Sequence, residues 1–144
     1  MRKTMFIGPV GSGKTTLYQC LFDLPLDYRK TQSLEFYGGI VDTPGEYLEN
    51  RNYHSALLVT SMGVDLVALV MDVTDTQTVY PPGITRMFTC PTIGIVTKID
   101  LLKEDEESSY AKDCLHMAGV EQVILTSSFE DRGIKEVKAL LTER

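Results

Sequence analysis

The stretch GPVGSGKT, from Gly8 to Thr15, constrains the fold of this chain more than any other part of its sequence. It matches the pattern G-x-x-x-x-G-K-[ST] in full, follows the apolar run KTMFIG and precedes a segment of helical character. Glycines in this pattern let the backbone curl so that successive N–H groups point at phosphate oxygens, and the following helix adds partial positive charge at its N-terminus. The sequence therefore predicts a phosphate-binding loop (P-loop) between a first strand and a first helix.

Each residue type in this loop has a predicted role. Lys14 reaches the β- and γ-phosphates of a nucleotide and is a candidate catalytic residue, while the Thr15 hydroxyl is a candidate Mg²⁺ ligand. The alternative is a chance glycine-rich turn, against which the strand before the loop and the helix after it both argue. The predicted nucleotide contacts in this region are Gly8, Val10, Gly11, Ser12, Gly13, Lys14, Thr15 and Thr16.

Short apolar runs alternate with helical segments along the whole chain. The runs DLVALVMDV and PTIGIVTK are almost entirely apolar, as expected for strands that are buried on both faces. Strands are predicted at 3–8, 39–42, 65–73, 91–98 and 122–127, and helices at 14–22, 50–63, 108–119 and 133–143. This alternation predicts a three-layer α/β fold of the P-loop NTPase type, with a mostly parallel sheet covered by helices on both faces.

Length and composition indicate one small P-loop domain spanning residues 1–144 and exclude several functions. The net charge of −6 argues against a nucleic-acid surface, because phosphate backbones require clustered Lys and Arg. No apolar run reaches the roughly 18 residues of a membrane span, and the N-terminal apolar stretch is too short for a secretory signal. The three cysteines are widely spaced, which favours a reducing cytoplasm over a disulfide framework or zinc site.

A second motif, DTPG, begins at the end of the predicted strand GIVD. It matches the D-x-x-G pattern, in which the aspartate contacts Mg²⁺ and the glycine N–H contacts the γ-phosphate. Asp42 is therefore a candidate metal ligand and Gly45 a candidate nucleotide contact. Since ligands of such sheets bind beyond the carboxyl ends of the strands, Asp42 is expected to lie near the P-loop.

Two further motifs, TKID (97–100) and TSS (126–128), follow the last predicted strands. The Asp100 carboxylate can accept hydrogen bonds from N1–H and the 2-amino group of guanine, a donor pair that adenine lacks. The Lys98 stem can lie along the purine while its ammonium stays near the P-loop. In the TSS stretch, Ser127 and Ser128 are candidate base contacts, with the Ser128 N–H directed at guanine O6.

With these residues assembled, the chain resembles the small Ras-like and Era-like GTPases. A closer resemblance is to the EutP/PduV proteins of bacterial ethanolamine and propanediol utilization, and it rests on MFIGPVGSGKTTL, DTPGEYLENRNYHSALLVTS, VYPPGITRMF and PTIGIVTKIDL. The resemblance implies a P-loop NTPase fold, bound Mg²⁺ with GTP or ATP, and a bacterial cytoplasmic location. It also implies a link to microcompartment metabolism, in which a shell or enzyme component is a candidate partner.

Three positions bear on how far the GTPase pattern applies. Thr97 stands where N-K-x-D has asparagine, so a hydroxyl is expected to brace the P-loop and the guanine preference is weakened. Thr31 is the candidate for the threonine that ligates Mg²⁺ in the triphosphate state, although a plain loop role is equally consistent. Glu46 stands where many GTPases have a glutamine that orients the attacking water.

Glu46 leaves two outcomes open. It can accept a hydrogen bond from water, but it cannot donate one to the γ-phosphate, and its charge repels the transferring group at short range. It is thus expected either to face solvent, which leaves intrinsic hydrolysis slow, or to act as a catalytic base toward a substrate other than water.

The favoured hypothesis is a nucleotide-binding switch that prefers GTP and hydrolyses it slowly. The first alternative is an ATP-dependent kinase for a short-chain carboxylate such as acetate, and the second is a non-catalytic, nucleotide-bound scaffold for a microcompartment. The turn YPPG (80–83) is in addition a candidate surface for a partner.

Overall fold

A computed structural model describes residues 2–21, 35–37, 40–43, 50–102 and 108–142. Within them, six strands form one sheet in the order β2-β3-β1-β4-β5-β6. Neighbouring strands are parallel except for β2 and β3, which are antiparallel, so the predicted mostly parallel sheet is confirmed. The strands are β1 (Thr4–Ile7), β2 (Glu35–Tyr37), β3 (Ile40–Asp42), β4 (Leu66–Asp72), β5 (Thr92–Thr97) and β6 (Val123–Leu125).

The described α-helices fall where helical segments are predicted. They are α1 (Lys14–Leu21), α2 (His54–Ser61), α3 (Ser109–Ala118) and α4 (Ile134–Thr142). The segment before α2 forms a 3₁₀ turn, Arg51–Tyr53, rather than α-helix. The Asn50 side chain accepts a hydrogen bond from the Asn52 N–H at 3.0 Å, and such a local contact favours a turn over a regular helix start.

Helices cover both faces of the sheet because consecutive strand residues point to opposite sides. Along β4, Val67, Leu69 and Met71 join one buried cluster, whereas Leu66, Ala68 and Val70 join another. The first cluster includes residues of α2 and α3, and the second includes residues of α1 and α4. The predicted three-layer α/β architecture is therefore confirmed.

Strand β2 is the part of the sheet that the sequence pattern does not predict. It comprises three residues at the edge of the sheet and pairs with β3 alone. A run of three residues next to a pair of glycines is too short to show a period of two.

The strand order places the predicted motifs together. Strand β1 lies between β3 and β4, so the chain moves from β1 to one side and later returns to the other. Such a reversal opens a crevice beyond the carboxyl end of the central strand, which here is the start of the P-loop. In the described parts of the chain, none of the helices has the length and apolar character needed to cross a bilayer.

Candidate functional site

The P-loop leaves β1 and turns directly into α1. Gly11 and Gly13 have φ values of 81° and 91°, a backbone region that residues with side chains rarely adopt. The Ser12 N–H donates to the Pro9 carbonyl at 3.1 Å, and the Leu17 N–H donates to the Gly13 carbonyl at 2.9 Å as α1 begins. The curled conformation expected from the glycine spacing is thus present.

Little space remains at the first residue of the loop. A Cβ atom at Gly8 would lie 2.6 Å from Ser12 Oγ and 3.0 Å from the Val70 carbonyl oxygen. Val10, in contrast, is exposed at the surface of the loop, and Thr16 is half-buried on α1. The close packing at Gly8 explains why glycine opens the motif.

Thr15 and Asp42 meet at the start of α1. The Thr15 hydroxyl donates to Asp42 Oδ2 at 3.0 Å, and the Lys14 ammonium lies 3.8 Å from Asp42 Oδ1. The Lys14 side chain is 7% exposed and that of Asp42 is fully buried. The P-loop and the D-x-x-G aspartate are therefore in direct contact, as the strand-end rule predicts.

The residues at this point fit a nucleotide phosphate with Mg²⁺. Carboxylate and hydroxyl oxygens, such as those of Asp42 and Thr15, are ligands that Mg²⁺ prefers, usually together with phosphate oxygens and water. Among the described residues, Ser12 Oγ is buried without a hydrogen-bond partner, which is costly unless a ligand or water supplies one. The adjacent loop backbone and the Lys14 ammonium supply the donors that phosphate requires.

Thr97, the last residue of β5, contacts the P-loop. Its hydroxyl donates to the Ser12 carbonyl at 2.5 Å, and the whole residue is 3% exposed. This is the bracing contact expected of Thr97 in place of asparagine. A Cβ atom at Gly13 would lie 3.3 Å from the same hydroxyl oxygen, so the loop and Thr97 are closely packed.

Lys98, the residue after Thr97, also contacts the P-loop. Its ammonium donates to the Gly11 carbonyl at 2.7 Å and to Asp72 Oδ2 at 2.8 Å. Asp72 in turn accepts hydrogen bonds from the Thr74 N–H at 2.8 Å and the Thr74 hydroxyl at 2.7 Å. Burial alone would raise the pKa of Asp72, but these hydrogen bonds and the Lys98 charge outweigh burial and lower it. Asp72 therefore stays ionised and holds the ammonium against the loop.

The two predicted base-reading motifs also meet. The Ser127 hydroxyl donates to Asp100 Oδ1 at 2.6 Å and accepts a hydrogen bond from the Glu130 N–H at 3.1 Å. The Ser128 carbonyl accepts a long contact from the Cys20 thiol of α1, at 3.8 Å. Ser127 thus orients the Asp100 carboxylate, whereas the N–H of Ser128 stays a predicted base contact.

Three predicted site residues lie outside the described residues. These are Thr31, a candidate Mg²⁺ ligand, Gly45, a candidate γ-phosphate contact, and Glu46, a candidate catalytic residue. The structure accordingly describes the loop, the aspartate and the base-reading side of the site.

Tyr80 is a residue near the site whose contacts the sequence interpretation does not predict. The YPPG turn is predicted as a partner surface, but Tyr80 is only 3% exposed, while Pro81 and Pro82 are exposed. The single proton of the Tyr80 hydroxyl is shared between the carbonyl oxygens of Ile7 at 3.0 Å and Val70 at 2.5 Å. Two prolines after a tyrosine indicate a turn but carry no sign that the ring inserts beneath the P-loop.

A wide groove of about 810 Å³ lies at the opposite edge of the sheet, between β6 and α4. Among the described residues that line it, Glu136 is the one ionisable group, and neither Lys nor Arg is present. A carboxylate repels phosphate, so these lining residues do not favour a nucleotide.

Comparison with known proteins identifies the family. The family described as "Ethanolamine utilisation - propanediol utilisation" (PduV-EutP) matches residues 1–143. The chain is 39% identical over 144 residues to "Propanediol utilization protein PduV" of Citrobacter freundii, covering 100% of this chain and 95% of that protein. It is 31% identical over 133 residues to "Probable acetate kinase EutP" of Escherichia coli, covering 91% of this chain and 77% of that protein.

A solved structure agrees with the fold. The bacterial selenocysteine-specific elongation factor EF-Sec is similar with a TM-score of 0.68 and 19% identity, over 94% of this chain and 27% of that chain. The chain thus spans about a quarter of the elongation factor, and the likeness concerns the fold alone. The family match and the curated relatives confirm the resemblance drawn from the motifs: the chain belongs to the PduV-EutP family of ethanolamine and propanediol utilisation.

Proposed function

We propose that this protein is a Mg²⁺-dependent nucleotide-binding switch that prefers GTP and hydrolyses it slowly, acting in ethanolamine or propanediol utilisation. One observation carries the proposal. The P-loop is joined to Asp42 through Thr15, and to the base-reading motif through Thr97 and Lys98. Residues for phosphate, metal and base therefore surround one crevice at the carboxyl ends of the strands.

The phosphate end of the site rests on Lys14 and the loop backbone. Lys14 is almost fully buried near the carboxylate of Asp42, where a charge interacts more strongly than it does in water. A triphosphate offers this ammonium a stronger anionic partner. Mg²⁺, when bound, supplies positive charge to the phosphate oxygens, and Thr15 and Asp42 are the residues that would hold it.

The base end supports a preference for guanine. Asp100 Oδ1 is occupied by the Ser127 hydroxyl, which fixes the orientation of the carboxylate. An oriented carboxylate recognises the adjacent N1–H and 2-amino donors of guanine, whereas adenine would leave it without those donors. Lys98, held by Asp72 over the loop, is placed for its stem to cover a purine.

Slow hydrolysis is proposed from Glu46. A glutamate at this position cannot donate a hydrogen bond to the γ-phosphate, and its negative charge opposes the approach of the phosphoryl group. We place the switch in the bacterial cytoplasm, where a microcompartment shell or enzyme component is its proposed partner.

The test is calorimetry with GTP and ATP in the presence and absence of Mg²⁺, together with measurement of phosphate release. The wild type is expected to bind Mg²⁺–GTP more tightly than Mg²⁺–ATP, and Lys14→Ala is expected to abolish triphosphate binding. Lys135→Ala, an exposed change on α4, is the matched control for loss of one positive charge. Unchanged affinity in Lys14→Ala would refute the P-loop assignment.

A second candidate function is phosphoryl transfer from ATP to a short-chain carboxylate such as acetate. It is favoured by the relatives named "Probable acetate kinase EutP", and because a carboxylate nucleophile carries no proton at neutral pH, this transfer needs no general base. In this reaction a carboxylate oxygen bonds to the γ-phosphorus, the bond to the β–γ bridging oxygen breaks, and acyl phosphate and nucleoside diphosphate form.

Trapping with hydroxylamine separates the functions. Acyl phosphate formed from acetate appears as a hydroxamate and supports the kinase, whereas inorganic phosphate formed equally with and without acetate supports the hydrolase. Nucleotide binding without either product would indicate the scaffold.

A further inference from the structure

Tyr80 occupies an unusual place for a residue in a connecting segment. It follows the exposed Val79 and precedes two exposed prolines, yet it is itself 3% exposed and belongs to the core cluster beneath α2 and α3. Its hydroxyl reaches the carbonyl oxygens of Ile7 and Val70, at 3.0 and 2.5 Å. A single buried hydroxyl, with one proton shared between two acceptors, thus lies between the end of β1 and Val70 of the adjacent strand β4.

The Ile7 carbonyl belongs to the peptide that joins β1 to Gly8. The orientation of that peptide sets the direction in which the P-loop departs from the sheet. The Val70 carbonyl, the second acceptor, lies 3.0 Å from the position of a Gly8 Cβ atom, so both acceptors adjoin the first residue of the loop. The Tyr80 hydroxyl therefore contacts the backbone at the start of the loop, whereas Thr97 contacts the loop farther along, at Ser12.

The segment that carries Tyr80 is stiff and anchored on its far side. Pro81 and Pro82 have restricted φ values, and each proline also restricts the residue before it. Beyond them, the Gly83 N–H donates to the Met117 carbonyl near the end of α3, at 2.9 Å. Burial strongly raises the pKa of Tyr80, so its hydroxyl keeps its proton. The Tyr80 hydroxyl therefore stays a hydrogen-bond donor, and the stiff segment holds it in position.

We propose that Tyr80 is a positioning residue for the phosphate site, whose hydroxyl holds the Ile7–Gly8 peptide so that the loop N–H groups converge on a phosphate. The proposal rests on the nucleotide-binding function proposed above and extends it to a residue that touches neither phosphate nor base. Without the hydroxyl, the loop root is less restrained and the N–H groups are less well preorganised, which weakens binding.

The test compares Tyr80→Phe with the wild type in two measurements. The first is hydrogen exchange of the amides of residues 8–13 in the nucleotide-free protein, and the second is the affinity for Mg²⁺–GTP and Mg²⁺–ATP. We expect faster exchange in the loop and about five- to ten-fold weaker binding, as for the loss of one intramolecular hydrogen bond. Thr142→Val, which removes an exposed hydroxyl near the end of α4 that donates to the Lys138 carbonyl, is expected to change neither.

A second control distinguishes a local effect on the loop from a general loss of stability. Leu141→Ala removes a buried side chain of α4 and destabilises the protein away from Tyr80. If Leu141→Ala accelerates loop exchange as much as Tyr80→Phe does, or if Tyr80→Phe binds nucleotide like the wild type, the positioning role is wrong. Pro82→Ala, which keeps the hydroxyl but relaxes its segment, is expected to shift loop exchange in the same direction by less.

The result also distinguishes this inference from the proposed function. If the wild type binds neither GTP nor ATP, the nucleotide-binding function fails, whereas the exchange measurement still reports whether Tyr80 restrains the loop. Loop exchange in Tyr80→Phe that equals the wild type would overturn the inference even when nucleotide binding is established.

Discussion

Replacing Thr97 with valine tests whether a single hydroxyl braces the P-loop. Valine has nearly the shape of threonine, so the packing of this 3% exposed residue against Gly13 is retained. What disappears is the donor to the Ser12 carbonyl, which the hydroxyl contacts at 2.5 Å. The change therefore removes the hydrogen bond between β5 and the loop and places a methyl group against the Ser12 carbonyl.

The magnitude follows from the burial of this contact. No cavity forms, and a buried carbonyl deprived of its donor costs about 1–3 kcal/mol. The new methyl group also approaches the Ser12 carbonyl more closely than a carbon–oxygen contact allows, so a small shift of the loop adds to this cost. We expect the free energy of unfolding to fall by about 2 kcal/mol. Nucleotide affinity should fall as well, since the Ser12 peptide forms part of the loop that faces phosphate.

Urea unfolding measures the stability, and calorimetry with Mg²⁺–GTP measures the affinity. Thr97→Ser is the matched control, because it keeps the hydroxyl and loses only a methyl group, worth about 0.8 kcal/mol when buried. The serine variant should retain wild-type affinity. A valine variant that is as stable as the wild type and binds nucleotide equally well would refute the bracing role.

Three further predictions concern α3, Asp72 and Asp100. Gly119→Ala should lower the melting temperature markedly, because φ is 112° and the new Cβ would clash with Thr85 Oγ1. In the control Gly63→Ala the nearest atom to the new Cβ lies 3.8 Å away, and equal melting temperatures of the two variants would rule out this effect. The pKa of Asp72 is lower in the folded protein than in the unfolded chain, where it is about 4. The ionised carboxylate therefore stabilises the fold at pH values above the unfolded pKa, and this contribution is lost as the pH falls through the lower pKa of the folded state. Asp72→Asn should thus be less stable than the wild type at neutral pH and should lose less stability than the wild type on acidification. Urea unfolding at several pH values measures both, and parallel pH profiles of the two proteins would contradict the prediction. Asp100→Asn should exchange guanine preference for xanthine preference in competition binding, and an unaltered preference would discard the base-reading role.

Much of the fold was predictable because the relevant signals are local. The all-apolar runs of β4 and β5 require burial on both faces, and Gly119 ends α3 with a left-handed backbone, as a helix-terminating glycine does. Strand β2 and the 3₁₀ turn before α2 were not predictable in this way. A three-residue edge strand depends on its partner, and the turn depends on the Asn50 contact.

The sequence by itself determined the chemistry at each strand end. The P-loop, Asp42, Thr97 with Asp100, and Ser127 are recognisable because their residue types and spacings encode local backbone geometry and specific donors or acceptors. The predicted meeting of the motifs at one sheet edge followed from the rule that ligands of parallel sheets bind beyond the carboxyl ends of the strands.

The tertiary structure alone decided which group each polar side chain contacts. Lys98 joins Gly11 to Asp72, and Tyr80 reaches under the loop to Ile7, across separations of tens of residues. Such contacts depend on the placement of β1 between β3 and β4 and on the path of the chain after β4, which no local pattern records. The P-loop is thus recognisable from eight consecutive residues, whereas the side chains that contact and hold it come from distant parts of the chain.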